Sequence, residues 1–168
     1  LFETENSLKK IFVRDVDIDT DIEMLIPDSY VSNIQERLTL YTELDKIDAE
    51  EDIVKFGNML KDRFGTVPTQ VNELFDGLRI RTLAKKLGFE RIVLKNRKMN
   101  SYFISNPQSI FFETPTFQNI MQYMSVTGHI RGLTMKQSNN HLIMSKENVK
   151  TLKEARGILE EIVYKIQL

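Results

Sequence analysis

Residues 88–105 read G-F-E-R-I-V-L-K-N-R-K-M-N-S-Y-F-I-S, and the pattern of the whole chain changes at this stretch. Arg91–Lys95 and Asn100–Ser105 are strand-like, and the polar turn around Asn96–Lys98 joins them as a predicted hairpin. A second predicted hairpin, residues 130–136 and 141–145, flanks Asn139–Asn140, whose side chains tolerate the left-handed backbone of tight turns. Between the hairpins, Thr114 and Pro115 supply a cap and a first-turn proline for a short helix through Phe117, Ile120, Met121 and Met124, stopped by Gly128. A last helix is expected from about Glu147 to Gln167, with Val149, Leu152, Ala155, Leu159, Ile162 and Ile166 as its stripe. The second half therefore reads as ββαββα.

Upstream of Gly88 the period is helical. Val71, Leu74, Phe75, Leu78, Leu83 and Leu87 mark the buried side of a helix opened by Pro68, about 30 Å long at 1.5 Å per residue. Before it, Ile53, Phe56, Leu60 and Phe64 form a stripe that starts at an Asp48/Glu51 capping arrangement and ends at Gly65. Earlier still, Ser32 and Gln35 make a capping-box start for a helix with the stripe Ile34, Leu38, Tyr41, Leu44 and Ile47. Residues 15–24 alternate strictly. Asp15, Asp17, Asp19, Asp21 and Glu23 point one way while Val16, Ile18, Thr20, Ile22 and Met24 point the other, as on a half-buried edge strand. A calcium loop would need Gly at its sixth position and Glu at its twelfth, where Thr20 and Ile26 stand. A helix-rich first half followed by ββαββα predicts an α+β fold with an antiparallel or mixed sheet.

The 168 residues suffice for one domain with its own core, and no cysteine is present, so disulfides, thiol nucleophiles and iron–sulfur clusters are excluded. No apolar run approaches membrane-spanning length, no signal segment opens the chain, and a cytoplasmic, reducing location is expected. A chain that opens on Leu1 rather than Met is expected to be a piece of something longer.

Net charge is −1, but residues 1–62 hold 16 acidic and 7 basic side chains, whereas 63–168 hold 8 acidic and 16 basic. Arg79, Arg81, Lys85, Lys86, Arg91, Lys95, Arg97 and Lys98 fall within 20 residues beside the single acid Glu90. This run reads either as a solvated face or as a weak nucleic-acid contact. Apart from Phe89 no aromatic residue interleaves it, so no base-stacking platform is expected. Around the junction of the first two helices, Glu43, Asp45, Asp48, Glu50, Glu51 and Asp52 read either as dipole-favoured helix-start acids or as an acidic docking patch.

No motif for phosphate cradling, dinucleotide binding, a serine nucleophile or a zinc protease occurs. His129 and His141 flank the strands of the second hairpin without a third ligand nearby, and Met121, Met124, Met135 and Met144 read as core filler. No catalytic residue, metal or cofactor is expected.

Four motifs in order carry a resemblance: I-P-D-S-Y-V at 26–31, Gln35-Glu36-Arg37-Leu38-x-Leu40-Tyr41, Lys61-Asp62-Arg63-Phe64-Gly65-x-x-Pro68, and Leu83-Ala84-x-x-Leu87-Gly88. From about Val16 onward the chain resembles the C-terminal (TRCF) domain of the bacterial transcription-repair coupling factors, the Mfd family. The final ββα region is placed by order only. The resemblance implies a non-catalytic regulatory domain at 15–168, with 1–14 a linker or tail from a preceding motor domain. In that family the parent is an ATP-driven DNA translocase that displaces stalled RNA polymerase and recruits UvrA for nucleotide excision repair. The C-terminal domain of the resting parent docks on the N-terminal UvrB-like module and masks UvrA binding. By the family's motif, Asp62 and Arg63 are candidate docking residues; Glu51 and Asp52 join them by charge alone. The alternative is an accessory nucleic-acid contact through Arg79, Arg81, Lys85, Lys86, Lys95 and Lys98.

Overall fold

The computed structural model describes residues 12, 13 and 15–166. In chain order it holds β1 (Asp17–Thr20), α1 (Ile34–Asp45), α2 (Glu50–Phe64), α3 (Thr69–Leu87), β2 (Phe89–Lys95) and β3 (Lys98–Phe103). A 3₁₀ turn at Ile110–Glu113, α4 (Pro115–Tyr123), a π turn at Met124–Gly128, β4 (Leu133–Ser138), β5 (His141–Lys146) and α5 (Leu152–Ile166) follow. The strands form one sheet in the order β1-β2-β3-β5-β4. The sheet is mixed, because β1 runs parallel to β2 while the other pairs are antiparallel.

The α+β expectation holds, and α3 joins its two parts. Val71, Phe75 and Leu78 at the front of α3 pack with Leu40 and Leu44 of α1 and with Ile53, Phe56 and Leu60 of α2. Ile80, Ala84 and Leu87 at its rear pack with the inner face of the sheet, including Phe89, Ile92, Leu94, Met99, Phe103 and Met144. Gly88 then ends α3 with φ +80. The Phe111 ring lies 2.1 Å from where a Cβ on Gly88 would stand, so both the left-handed backbone and the packing require glycine here.

Alternation places Arg91, Val93 and Lys95 of β2, and Lys98, Asn100 and Tyr102 of β3, on the opposite sheet face, where none joins either core. The β2–β3 hairpin turns on two residues, Asn96 (φ +53) and Arg97 (φ +62). Positive φ at both central residues is the type I′ geometry whose twist suits a hairpin.

Several expected boundaries move. The alternation at 15–24 is strand only over Asp17–Thr20, yet its inner residues behave as expected: Val16 is buried, and Ile18, Ile22 and Met24 pack on the larger core. Asn33, not Ser32, caps α1 by accepting from the Glu36 N–H. The stripe of α1 is also rotated: Leu40 and Leu44 are buried, whereas Ile34 is 67% and Leu38 53% exposed. Leu40 and Leu44 pack with Ile53, Phe56 and Leu60 of α2 and with Val71 and Phe75 of α3, which sets the face that α1 buries, and the Ile26–Val31 segment bonds to Arg37 and Tyr41 beside it.

Ala49, with no side-chain cap, precedes α2, and Pro68 sits just before α3 rather than in its first turn. The last helix starts at Leu152, not Glu147, because Asn148 has φ +59 and the Val149 N–H donates to the Arg97 carbonyl. Thr114 caps α4 as expected, accepting from the Phe117 N–H. Phe12 and Val13, within the expected tail, pack against Phe111 and the larger core. The rest of that tail, residues 1–11 and Arg14, and the expected helix end at Gln167 lie outside the described residues.

Candidate docking surface

The motif residues of the helical part converge on one corner. Arg37 donates from Nη1 to the carbonyls of Val31 (2.6 Å) and Ser32 (3.3 Å), and the Ile26 N–H donates to the Tyr41 hydroxyl (2.7 Å). These bonds hold the I-P-D-S-Y-V loop against α1. At the loop's far end the Tyr30 hydroxyl donates to the carbonyls of Leu60 (3.1 Å) and Gly65 (2.8 Å), and its ring packs on Phe64 at 5.7 Å. Tyr30 thus ties the loop to the backbone just before and just after the end of α2. Gly65, with φ +91, then releases the chain toward Pro68.

On this framed corner stand Asp62 and Arg63, both exposed. Arg63 forms an ion pair with Glu36 of α1, and its guanidinium lies 4.8 Å over the Phe64 ring. The salt bridge and the ring contact fix a long side chain in one place before any partner arrives. Asp62 forms no ion pair among the described residues. Glu51 and Asp52 are exposed in the first turn of α2, about three turns and 16 Å from Asp62 and Arg63 at 1.5 Å per residue. Eleven residues at 3.6 per turn bring Glu51 and Asp62 onto nearly the same side of the helix. The four predicted docking residues thus lie on one helix but at its two ends.

The basic residues do not form one patch. Arg79 binds Glu50 through Nε and Nη2, both at 2.8 Å, and Asp76 at 3.1 Å. Arg81 pairs with Asp45 at 3.5 Å, Lys95 with Asp19 at 2.9 Å, and Lys98 with Glu147 at 3.4 Å. Lys85 and Lys86 are exposed in the last turn of α3, where positive charge complements the helix dipole. Strand β2, about 20 Å from Phe89 to Lys95, carries Lys95 and, beyond it, Lys98 away from them. The charge division along the sequence therefore folds onto itself: acids of the first half meet bases of the second.

These pairs leave a titration signature. Hydrogen bonds from Lys95, then from Arg91, hold the Asp19 carboxyl below the usual carboxylate range, and the bond from Arg79 does the same for Glu50. Burial pushes Glu73 the other way, although it accepts the Leu152 N–H at 3.3 Å at the start of α5.

Among the described residues no three His, Cys, Asp or Glu side chains could hold a metal ion, and no helix is long and apolar enough to cross a membrane. His129 and His141 lie at opposite ends of β4, and His141 pairs instead with Glu90, Nε2 to Oε1 at 3.2 Å. Glu36 and Tyr30 are the corner residues that sequence reading did not single out. The Ile34/Leu38 stripe points to the wrong face of α1, and Glu36 and Tyr30 stand out in the sequence only as members of motifs.

Fold and surface together define a mixed α/β domain in which a three-helix flank is pinned at one corner by polar side chains. The chain belongs to the TRCF domain family, whose model matches residues 20–113. It is 31% identical over 100 residues to a transcription-repair-coupling factor of Borreliella burgdorferi, covering 60% of this chain and 9% of that protein. Against the same-named protein of Staphylococcus epidermidis it is 24% identical over 153 residues, covering 88% of this chain and 13% of the relative. The chain thus spans about a tenth of the length of these relatives. A crystal structure of the C-terminal domain of transcription-repair coupling factor superposes with a TM-score of 0.67 at 20% identity, covering 91% of this chain and 93% of that one. That match shows the same fold.

Proposed function

We propose that this chain is the non-catalytic C-terminal regulatory domain of a transcription-repair coupling factor. Its parent would be a cytoplasmic, ATP-driven DNA translocase that displaces stalled RNA polymerase and recruits UvrA, with residues 1–14 leading in from the motor. In the resting parent the corner at the end of α2 docks on the N-terminal UvrB-like module and masks the UvrA-binding surface.

The observation that carries this reading is the state of Asp62 and Arg63. Both are exposed, and Arg63 is held by Glu36 and Phe64 rather than left to sample many rotamers. A charged side chain already held in place, beside an exposed carboxylate, favours a contact that relies on complementarity, and tethering within one chain raises its effective concentration. Glu51 and Asp52 extend the same helix's negative charge toward a basic partner.

A calorimetric titration of the chain with the UvrB-like module, beside duplex DNA, tests the reading. Asp62→Lys places a cation in the last turn of α2, where the dipole tolerates it, so loss of binding would not reflect loss of fold. Saturable binding to the module, weakened roughly tenfold by Asp62→Lys, is expected. Equal binding by the variant would contradict the reading. So would silence toward the module together with DNA binding that falls steeply with salt, because phosphate neutralisation by the basic residues would then be the function.

A further inference from the structure

The sheet face turned away from the helices carries a cleft of about 370 Å³ lined by Asp15, Asp17, Glu90, Arg91, Tyr102 and His141. Its position follows from register. Asp17 pairs with Arg91, and Arg91 with Tyr102, so these three side chains share one row across β1, β2 and β3. Glu90 reaches the same face because the β2–β3 register shifts between Phe89 and Arg91. Phe89 packs inward at 0% exposure, and the bulge turns Glu90 outward beside Arg91, as bulges re-aim side chains elsewhere.

The polar groups in the cleft are unequally occupied. Glu90 Oε1 accepts from the Ser105 N–H at 3.1 Å and lies 3.2 Å from His141 Nε2, whereas Oε2 has no hydrogen-bond donor among the described residues. Asp15 and Asp17 are exposed and form no ion pair among the described residues. Arg91 is drawn toward Asp19 at 3.0 Å and lies over the Tyr102 ring at 5.6 Å, while His141 meets the ring edge-on at 5.4 Å. Three carboxylates face one arginine that a fourth carboxylate already engages, so the cleft carries excess negative charge around an aromatic centre.

We propose that this cleft recognises an arginine side chain presented by a basic segment of a protein partner. The ligand must be a cation, because the free acceptors are carboxylates. A single metal ion does not suit them: the described acidic and histidine side chains do not come close enough together to ligate one. A guanidinium does, since it spreads its charge over a plane, carries five donors that can reach separate carboxylates, and packs against aromatic and guanidinium planes. The volume lies within the range of small-molecule sites and admits one long side chain. The site lies on the sheet and shares no residue with the α2 corner, so it stands or falls independently of the docking reading above.

Amide resonances of the 168-residue chain, titrated with N-acetyl-arginine methylamide, test the proposal, with the citrulline, lysine and glutamate analogues run alongside. Saturating shifts centred on Glu90, Arg91, Tyr102 and His141 are expected with the arginine probe by about 30 mM, which a millimolar site must reach. Citrulline, an uncharged isostere, and glutamate should not saturate, and lysine should bind more weakly than arginine. Asp17→Asn and Glu90→Gln, which keep size but remove the charge and one acceptor oxygen, should each weaken binding roughly five- to tenfold. Glu43→Gln, on the exposed side of α1, should change nothing. No saturation, an equal response to citrulline, or an equal loss from Glu43→Gln would overturn the proposal, the last by showing diffuse attraction rather than a site.

Discussion

The helical flank and the sheet half are built to different tolerances. Among the described residues, ten buried apolar side chains form the cluster around Leu60, and twenty-two form the cluster around Phe103. A core of the second size can accept many apolar residues at each position, because no single side chain dominates it. The smaller cluster cannot close its rim with apolar residues alone. There Tyr30, Arg37 and Tyr41 bond specific backbone groups, and each bond requires its residue type. The family is therefore easiest to recognise in the flank: three of the four motifs lie there, the fourth, Leu83–Gly88, lies on the rear of α3 against the sheet core, and the ββα region offers little beyond order. The family match over residues 20–113 covers the flank and β2–β3 and ends before α4.

The two parts are expected to unfold together, because α3 crosses both and an ion-pair chain joins them. Phe103→Ala in the sheet core should cost about 3–5 kcal/mol and Leu60→Ala in the flank about 2–5 kcal/mol, each as a single urea transition. Two separated transitions in Leu60→Ala would instead show that the flank melts alone.

The joint itself predicts the next largest effect. Asp76 of α3, 7% exposed, receives Arg156 of α5 at 2.7 Å and Arg79 at 3.1 Å, and Arg79 continues to Glu50 of α2. Asp76→Ala leaves two half-buried guanidinium groups short of an acceptor. We expect a loss of about 2–4 kcal/mol, slightly below that of a fully buried pair, measured by urea unfolding.

The smallest effect concerns pH. Arg79 lowers the Glu50 carboxyl, so the pair's stabilisation is complete above the unfolded value of about 4.3 and is lost as pH falls through the folded one. Asp19 acts in the same direction, whereas Glu73, pushed up by burial, is relieved as acid protonates it. Glu50 is 58% exposed, so Glu50→Gln should cost under about 1 kcal/mol at pH 7. Its stability should converge with the parent's toward pH 3.

Much of the fold was legible because it rests on local signals. Thr114-Pro115, Gly88 and the Asn139–Asn140 turn each act within a few residues, and the structure uses all three. What was not legible depends on distant chain. The start of α5 is set by the Arg97 carbonyl and by Glu73, which accepts the Leu152 N–H from another helix. The face that α1 buries is set by its packing with α2 and α3, which its own period does not encode. The basic run was visible as a run, but only the fold pairs Arg79, Arg81 and Lys95 with acids far away in sequence. In the candidate site Asp62 and Arg63 were legible through a motif, whereas Glu36 required the packing of α1 on α2.

The corner at the end of α2, and not the sheet, is the face proposed to meet the UvrB-like module. Amide hydrogen exchange of the chain, alone and saturated with the UvrB-like module, tests this most directly. New protection is expected only in the last turn of α2, the first turn of α1 and the exposed start of α2. Protection on the β2–β3 face instead, or no change anywhere at saturation, would contradict it.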